Sequence, residues 1–180
     1  MKTKKDIKLT HVEHTFSPVW DQRSRILILG TLPSVKSREN NFYYGHPRNR
    51  FWKLIAELTG TPIPNTIEEK KAMLLQNRIA LWDVVQSCDI HGSSDASISN
   101  VVPTDISALL SKAHIVRIYA NGATAFQLYN KYCLSDTGQE IIKLPSTSPA
   151  NAAFGFERLL EEWRQILPEL AAPMPSPDSF

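Results

Sequence analysis

The chain has 180 residues, 42% of them hydrophobic and 21% charged, and 20 Lys and Arg against 18 Asp and Glu give a formal net charge of +2. This composition is typical of one soluble domain, and so small a charge gives only a weak argument for a polyanionic partner. No apolar run approaches the ~18 residues of a membrane span. Cys88 and Cys133 lack companions at metal-ligand spacing, so we expect no metal and no cofactor.

Strand and helix patterns alternate along most of the chain. Short apolar runs predict four strands, at residues 25–30, 79–85, 114–122 and 140–144. Helical spacing and capping signals predict helices at residues 49–59, 66–77, 103–112, 123–132 and 156–167. The stretch 86–102, rich in Ser, Asp and small residues, is predicted to be a surface loop without regular structure.

This alternation predicts a three-layer α/β/α fold whose central layer is a four-stranded parallel sheet. Residues 1–167 are expected to form a single domain, and the Pro-rich residues 168–180 a mobile tail. In such sheets ligands bind beyond the carboxyl ends of the strands. Four segments should meet there: GTLPS, Trp82-Asp83-Val84, ANG and LPSTSPANA.

Two of these segments carry motifs. The first motif, GTLPS at residues 30–34, is followed by YYGHPRNRFW, and the second motif, STSPANA, occupies residues 146–152. In their order and strand context they resemble the uracil-DNA glycosylase superfamily, and within it the hypoxanthine-DNA glycosylase family. The resemblance covers roughly residues 25–160, and agreement in several parts is far more specific than one short pattern.

The resemblance implies an enzyme of base excision repair that flips deoxyinosine out of DNA and hydrolyses its N-glycosidic bond, leaving an abasic site. It also implies a DNA partner, duplex or single-stranded, and we expect a monomer. Because no apolar run is long enough for a membrane span and no export signal is visible, we expect no membrane contact and a cytoplasmic location, nucleoid-associated or nuclear depending on the organism. Three alternatives stay open: a uracil or mismatch-specific glycosylase, a non-catalytic module that binds damaged DNA, and an enzyme acting on a small phosphorylated metabolite.

A flipped base needs a flat surface and hydrogen-bond partners. By its position in the family pattern, Tyr44 is expected to stack on the base, with Phe42 and Tyr43 as alternatives. Asp83 stands where the superfamily commonly has asparagine; its carboxylate can only accept, and it could take N1–H of hypoxanthine or N3–H of uracil. Leu32 replaces the Asp or Asn that related enzymes place two residues after the glycine, and it is expected to contact the base.

Leu32 cannot orient water, so another residue must supply the catalytic group. The hypoxanthine family is understood to use an asparagine from this loop, which makes Asn41 and Asn40 the candidates, with Asn41 preferred because it is nearer the stacking aromatic. Glu39 is a third candidate, although it could only balance surface charge. Lys36 could attack the sugar as an amine, but nothing in the sequence indicates its activation, so we expect a monofunctional enzyme.

Hydroxyls and backbone N–H groups in strand-end turns can bind the phosphates of DNA, and cations near the first motif add to this. A single turn serine is more often only a local cap, but in matched motifs phosphate binding is favoured. The predicted phosphate-binding residues are Ser34, Ser146, Ser148, Lys36 and Arg48. Arg50 also adds positive charge around the first motif, although it could be only solvated surface charge.

Overall fold

The computed structural model describes residues 8–173. Its strands are β1 (Leu9–Glu13), β2 (Ile26–Gly30), β3 (Ile79–Asp83), β4 (Val85–His91), β5 (Ser99–Pro103), β6 (Arg117–Asn121) and β7 (Ile141–Leu144). Its α-helices are α1 (Val35–Asn40), α2 (Phe51–Thr59), α3 (Ile67–Gln76), α4 (Ile106–Leu110), α5 (Ala123–Tyr132), α6 (Leu134–Thr137), α7 (Phe156–Trp163) and α8 (Leu167–Ala171). Short 3₁₀ turns lie at Asp95–Ser97 and Arg164–Ile166.

The central sheet has four parallel strands in the order β3-β2-β6-β7. Along β2, Ile26 and Ile28 join one core with α2, α3 and α7, whereas Leu27 and Leu29 join a second core with α4 and α5. All four side chains are fully buried. A strand covered on both faces is a continuous apolar run because all of its side chains leave water. The predicted α/β/α layers are confirmed.

A second sheet, antiparallel in the order β1-β4-β5, was not predicted. The prediction of an irregular loop at residues 86–102 is wrong, because most of this stretch belongs to β4 and β5. One face of β4 meets solvent with Ser and Asp side chains, and its pairing with β5 shifts register twice, so no clean alternation is visible in the sequence. Pro103 ends β5, an edge strand that tolerates the missing N–H, instead of opening a helix.

The predicted strand 79–85 divides at Val84. Residues before Val84 pair in the parallel sheet, and residues after it pair in the antiparallel sheet. Asp83 is the last residue of β3 and therefore lies where the chain passes between the two sheets. This junction places Asp83 at the carboxyl edge of the parallel sheet.

The polar segment after the first motif forms the short helix α1, which no apolar stripe announced. Ser34 caps it by accepting a hydrogen bond from the Ser37 N–H. Asn41 ends it in the left-handed conformation, at φ 53°, which asparagine tolerates better than most residues.

Helical structure continues beyond Leu167, where the last helix was expected to end. Pro168 lies in the first turn of α8, where its missing N–H costs no hydrogen bond. Glu169 lies 3.3 Å from the guanidinium of Arg117 on β6. The expectation of an irregular tail is therefore wrong for residues 168–171. The domain division at residue 167 stays a prediction, and the tail residues 174–180 lie outside the described residues.

Both cysteines, Cys88 and Cys133, are buried and unpaired. None of the helices within residues 8–173 is long and apolar enough to cross a membrane.

Candidate active site

A cleft of about 590 Å³ lies at the carboxyl ends of the parallel strands. Its size is that of a pocket for one small organic group, such as a flipped base with its sugar. The walls come from both motifs, from strand ends and from the turn after β4. They contain residues within 30–37, 43–49, 90–95 and 146–150, together with Asp83 and Asn121.

Asp83 and Tyr44 converge over Gly30 at the floor of the cleft. A Cβ added at Gly30 would lie 2.4 Å from Oδ1 of Asp83 and 2.9 Å from the Tyr44 hydroxyl. The first motif therefore needs glycine because these two polar groups occupy the space of a side chain. Asp83 is only 3% exposed, so its carboxylate is an acceptor with little competing water.

Asp83 also contacts His14, which the sequence analysis did not single out. Nε2 of His14 lies 2.8 Å from Oδ2 of Asp83, and both side chains are buried. Burial raises the pKa of Asp83, whereas the hydrogen bond and the charge of His14 oppose that rise. No sequence signal indicated the pair, since His14 lies outside both motifs and far along the chain from Asp83.

Tyr44 lines the cleft, as expected, but its hydroxyl points inward. Its ring contacts that of Phe51 at a centroid distance of 4.2 Å, and the buried hydroxyl makes no hydrogen bond within residues 8–173. Burial raises the pKa of Tyr44, the charge of Asp83 adds to this, and the nearby amide of Asn121 opposes it. The hydroxyl therefore stays a neutral donor beside the Asp83 carboxylate.

The two neighbouring aromatics differ in their placement. Tyr43 lines the cleft and donates to the carbonyl of Ser17 at 3.0 Å. Phe42 instead stacks on Trp52 in the core, with ring centroids 5.7 Å apart and planes 16° from parallel. The expected contact of Phe42 with the base has no support in this placement, because the ring is buried in the core and does not line the cleft.

The structure does not bring Asn40 and Asn41 to the cleft. Both are exposed at the end of α1, and Asn41 is the left-handed cap described above. Nδ2 of Asn40 lies behind Gly45, 3.0 Å from the place of an added Cβ. The catalytic role expected for these two residues stays a prediction without geometric support.

Asn49 is an asparagine that does line the cleft. Its Oδ1 accepts the N–H of Phe51 at 3.0 Å and the hydroxyl of Thr147 at 2.9 Å. A backbone N–H can only donate, so Oδ1 must face it and Nδ2 is left as the free donor. From the sequence, Asn49 is predicted only to start a helix, since asparagine in that position is commonly only a cap.

Thr147 connects Asn49 to Asn121 at the end of β6. It is fully buried, its hydroxyl accepts Nδ2 of Asn121 at 3.0 Å, and its N–H donates to Oδ1 of Asn121 at 3.0 Å. Asn121, Thr147 and Asn49 therefore form one chain of hydrogen bonds from β6 through the second motif to the start of α2. This chain orients the Asn49 amide.

Arg50 does not line the cleft, and it is not solvated surface charge either. Its guanidinium donates to main-chain carbonyls of the second-motif loop, those of Thr147 at 3.3 Å, Ser148 at 2.8 Å, Asn151 at 3.1 Å, and Phe154. A planar cation with five N–H donors can satisfy several carbonyls at once. Arg50 therefore holds the second motif in place beside the first.

Of the predicted phosphate contacts, the serines line the cleft and the cations do not. The cleft is lined by Ser34, Ser146 and Ser148, and also by Leu32, which was predicted to contact the base. Ser146 and Ser148 accept backbone N–H groups of their own turn at 3.2 Å, and each hydroxyl keeps its proton free to donate.

The two predicted cations lie apart from the cleft. Lys36 is exposed and pairs with Glu39 at 3.1 Å, and Arg48 is exposed on the loop before α2. No lysine or arginine within residues 8–173 lines the cleft, and no three His, Cys, Asp or Glu side chains there are grouped to hold a metal ion.

Comparisons with known proteins identify the family of this fold. The family model of the uracil DNA glycosylase superfamily matches residues 18–171. The hypoxanthine DNA glycosylase of Methanosarcina acetivorans is 36% identical over 157 residues, covering 86% of this chain and 98% of the relative. That of Methanosarcina barkeri is 33% identical over 138 residues, covering 76% and 86%.

A solution NMR structure of a candidate uracil DNA glycosylase from M. acetivorans superimposes with a TM-score of 0.75 at 36% identity. It covers 87% of this chain and 97% of that one. The family model, the sequence relatives and the solved structure all indicate the same superfamily. The chain belongs to the uracil DNA glycosylase superfamily, in agreement with the resemblance carried by its two motifs.

Proposed function

We propose that this protein is a DNA-deoxyinosine glycosylase of base excision repair, which removes hypoxanthine and leaves an abasic site. Family membership and two relatives named hypoxanthine DNA glycosylase support this activity. The observation that carries it is the buried Asp83 carboxylate beside the free Tyr44 hydroxyl, an acceptor and a donor at the floor of the cleft.

This pair matches the edge of a deaminated purine. Oδ1 of Asp83 accepts N1–H of hypoxanthine, and the Tyr44 hydroxyl donates to O6 beside it. Adenine presents a lone pair at N1, which the carboxylate repels, so its binding leaves a buried charge unpaired. Such a site rejects adenine by electrostatics rather than by shape.

Hydrolysis breaks the C1′–N9 bond, and the bonding pair leaves with the base. The oxygen of a water molecule bonds to C1′, and its released proton and the base recombine as neutral hypoxanthine. Nδ2 of Asn49 supplies an N–H in the cleft that can hold the water by its lone pair or stabilise charge on the departing base. Because no lysine in the described part of the chain lines the cleft, we expect hydrolysis without an amine intermediate.

Serine hydroxyls and turn N–H groups bind the phosphates that flank the flipped nucleotide. Ser34 from the first motif and Ser146 and Ser148 from the second lie on the cleft wall, where the backbone of a flipped nucleotide must pass. DNA carrying a deaminated base is thus the partner, bound by a monomer. A repair role places the protein with DNA, at the nucleoid in the cytoplasm or in the nucleus.

Uracil is a second candidate substrate, favoured by the same carboxylate. N3–H of uracil is a donor flanked by two carbonyl oxygens, so Asp83 and Tyr44 can read it as they read hypoxanthine.

The test is alkali-induced strand scission of labelled oligonucleotides containing inosine, uracil or normal bases, with duplex and single-stranded forms side by side. We expect scission at inosine, and a loss of about 100-fold or more in Asn49→Ala. Asn40→Ala and Asn41→Ala are matched controls in the same segment between β2 and α2, and both should retain activity. Loss of activity in either control, with Asn49→Ala active, would restore the residue predicted from the sequence.

Other outcomes decide between the function classes. Scission before alkali treatment would contradict a monofunctional enzyme. DNA binding without scission at any base would indicate a non-catalytic module for damaged DNA.

A further inference from the structure

The two oxygens of the Asp83 carboxylate have different surroundings. Oδ2 accepts a hydrogen bond from Nε2 of His14, 2.8 Å away. Oδ1 lies over Gly30 at the cleft floor, and within residues 8–173 it accepts no hydrogen bond. One oxygen is anchored by the protein, and the other stays available to a ligand.

His14 directly follows β1 of the second sheet and belongs to neither motif. Its N–H donates to the carbonyl of Gln86 at 2.8 Å, and its ring packs against those of Phe16 and Tyr43 at centroid distances of 4.5 and 5.8 Å. The side chain is 1% exposed. His14 also precedes the residues 18–171 that match the family model, so that match assigns it no role.

Within residues 8–173, the titratable groups that face Asp83 are His14 after β1, Tyr43 and Tyr44 in the loop after α1, and His46 and Asp95 on the cleft wall. Burial raises the pKa of both tyrosines, so both stay neutral. Burial raises the pKa of Asp83, and the hydrogen bond and charge of His14 both oppose that rise.

We propose that His14 is the positioning residue that keeps Asp83 ionised and turned to the cleft. Oδ1 of Asp83 then distinguishes bases that carry a lactam N–H from bases that carry a ring-nitrogen lone pair. This inference rests on the proposed function. An ionised Oδ1 accepts N1–H of hypoxanthine, whereas a protonated carboxyl donates to N1 of adenine. Loss of His14 therefore converts the reading group from an acceptor to a donor.

The test is the pH dependence of single-turnover excision from inosine and adenine oligonucleotides. His14→Phe keeps a flat ring and removes the donor, whereas His14→Gln keeps a neutral N–H donor. His11→Phe is the matched control: His11 lies on β1, with Nδ1 2.8 Å from Asp89, but its side chain is 58% exposed and outside the cleft.

We expect the acidic limb of the rate profile of His14→Phe to move to higher pH by about one unit or more. Its preference for inosine over adenine should fall about tenfold or more. His14→Gln should show a smaller shift in the same direction, and His11→Phe should match the wild type. An unchanged profile in folded His14→Phe overturns the proposal, because a purely structural role lowers the rate equally at every pH.

Two further measurements test the role of His14 even if His14→Phe does not fold or the wild type excises no base. If His14→Phe does not fold, the absence of any shift in His14→Gln overturns the proposal. Carbon-13 NMR titration of the Asp83 carboxyl needs no activity: a higher pKa in His14→Phe supports the role of His14 even if the wild type excises no base. An unchanged Asp83 titration overturns it in either case.

Discussion

Replacing Thr147 with valine tests the hydrogen-bond chain that orients Asn49. Valine has nearly the same shape, so the change removes a hydroxyl from a fully buried position and little else. Two hydrogen bonds are lost, the one donated by Asn121 and the one accepted by Asn49. The N–H of residue 147 still donates to Oδ1 of Asn121, so the loop keeps its path.

The expected loss of stability follows from the groups left without partners. Nδ2 of Asn121 becomes a buried donor without an acceptor, which costs about 1–3 kcal/mol. Oδ1 of Asn49 keeps its bond from the Phe51 N–H, so it adds little. We therefore expect the free energy of unfolding in urea to fall by about 1–3 kcal/mol, with an unchanged denaturant slope.

Activity should fall further than stability explains. Without the Thr147 hydroxyl the Asn49 amide can rotate away from its donating orientation, and each 1.4 kcal/mol of lost transition-state stabilisation lowers the rate about tenfold. We expect single-turnover excision of hypoxanthine to slow by about 10–100-fold in folded Thr147→Val. The measurement is a quenched time course on an inosine oligonucleotide with enzyme in excess.

Thr137→Val is the matched control, because Thr137 shares a hydrogen bond of 2.6 Å with the Tyr129 hydroxyl and lies apart from the cleft. It should lose stability and retain the wild-type rate. Equal rates in Thr147→Val and Thr137→Val would refute the reasoning, since the hydroxyl would then contribute only to folding.

Three further predictions concern the floor and the frame of the cleft. Burial raises the pKa of Asp83 above its ordinary 3.8, so the folded chain holds this proton more tightly than the unfolded chain and loses stability as the pH rises through the folded pKa. Asp83→Asn should therefore be more stable than the wild type at about pH 8, yet excise hypoxanthine poorly. A lower free energy of unfolding in urea for Asp83→Asn than for the wild type at this pH would contradict the expected direction. Gly30→Ala places a methyl group against Asp83 and Tyr44, and should cost about 1–3 kcal/mol and most of the activity; wild-type kinetics would show that the floor is not tightly packed. Arg50→Met removes the donors to the second-motif carbonyls and should lower the free energy of unfolding by about 2–4 kcal/mol, whereas a change within error in urea would show that water replaces the guanidinium.

The parallel sheet and its cleft could be predicted from the sequence alone. Apolar runs such as β2 are buried on both faces, so local composition is enough to identify them. Parallel strands must place their carboxyl ends at one edge, so the meeting of the first motif, Asp83 and the second motif followed from topology. The positions of Ser34, Ser146 and Ser148 at strand ends were predicted for this reason, whereas Tyr44 and Leu32 were predicted from the family resemblance; all five line the cleft.

The antiparallel sheet, the placement of the asparagines and the His14–Asp83 pair were decided only by the tertiary structure. The sequence pointed to Asn41 and Asn40 and gave Asn49 only as the start of a helix, because asparagine favours helix caps and turns as much as catalytic positions. Which of them faces the cleft depends on the course of α1 and on the Thr147 hydroxyl, 98 residues from Asn49.

His14 and Asp83 are 69 residues apart and come together only because β1 pairs with β4 immediately after the end of β3. Local residue patterns do not encode contacts between elements that are distant in the chain. The sequence by itself therefore determined where the site lies, whereas the packing of two sheets decided which side chains complete it.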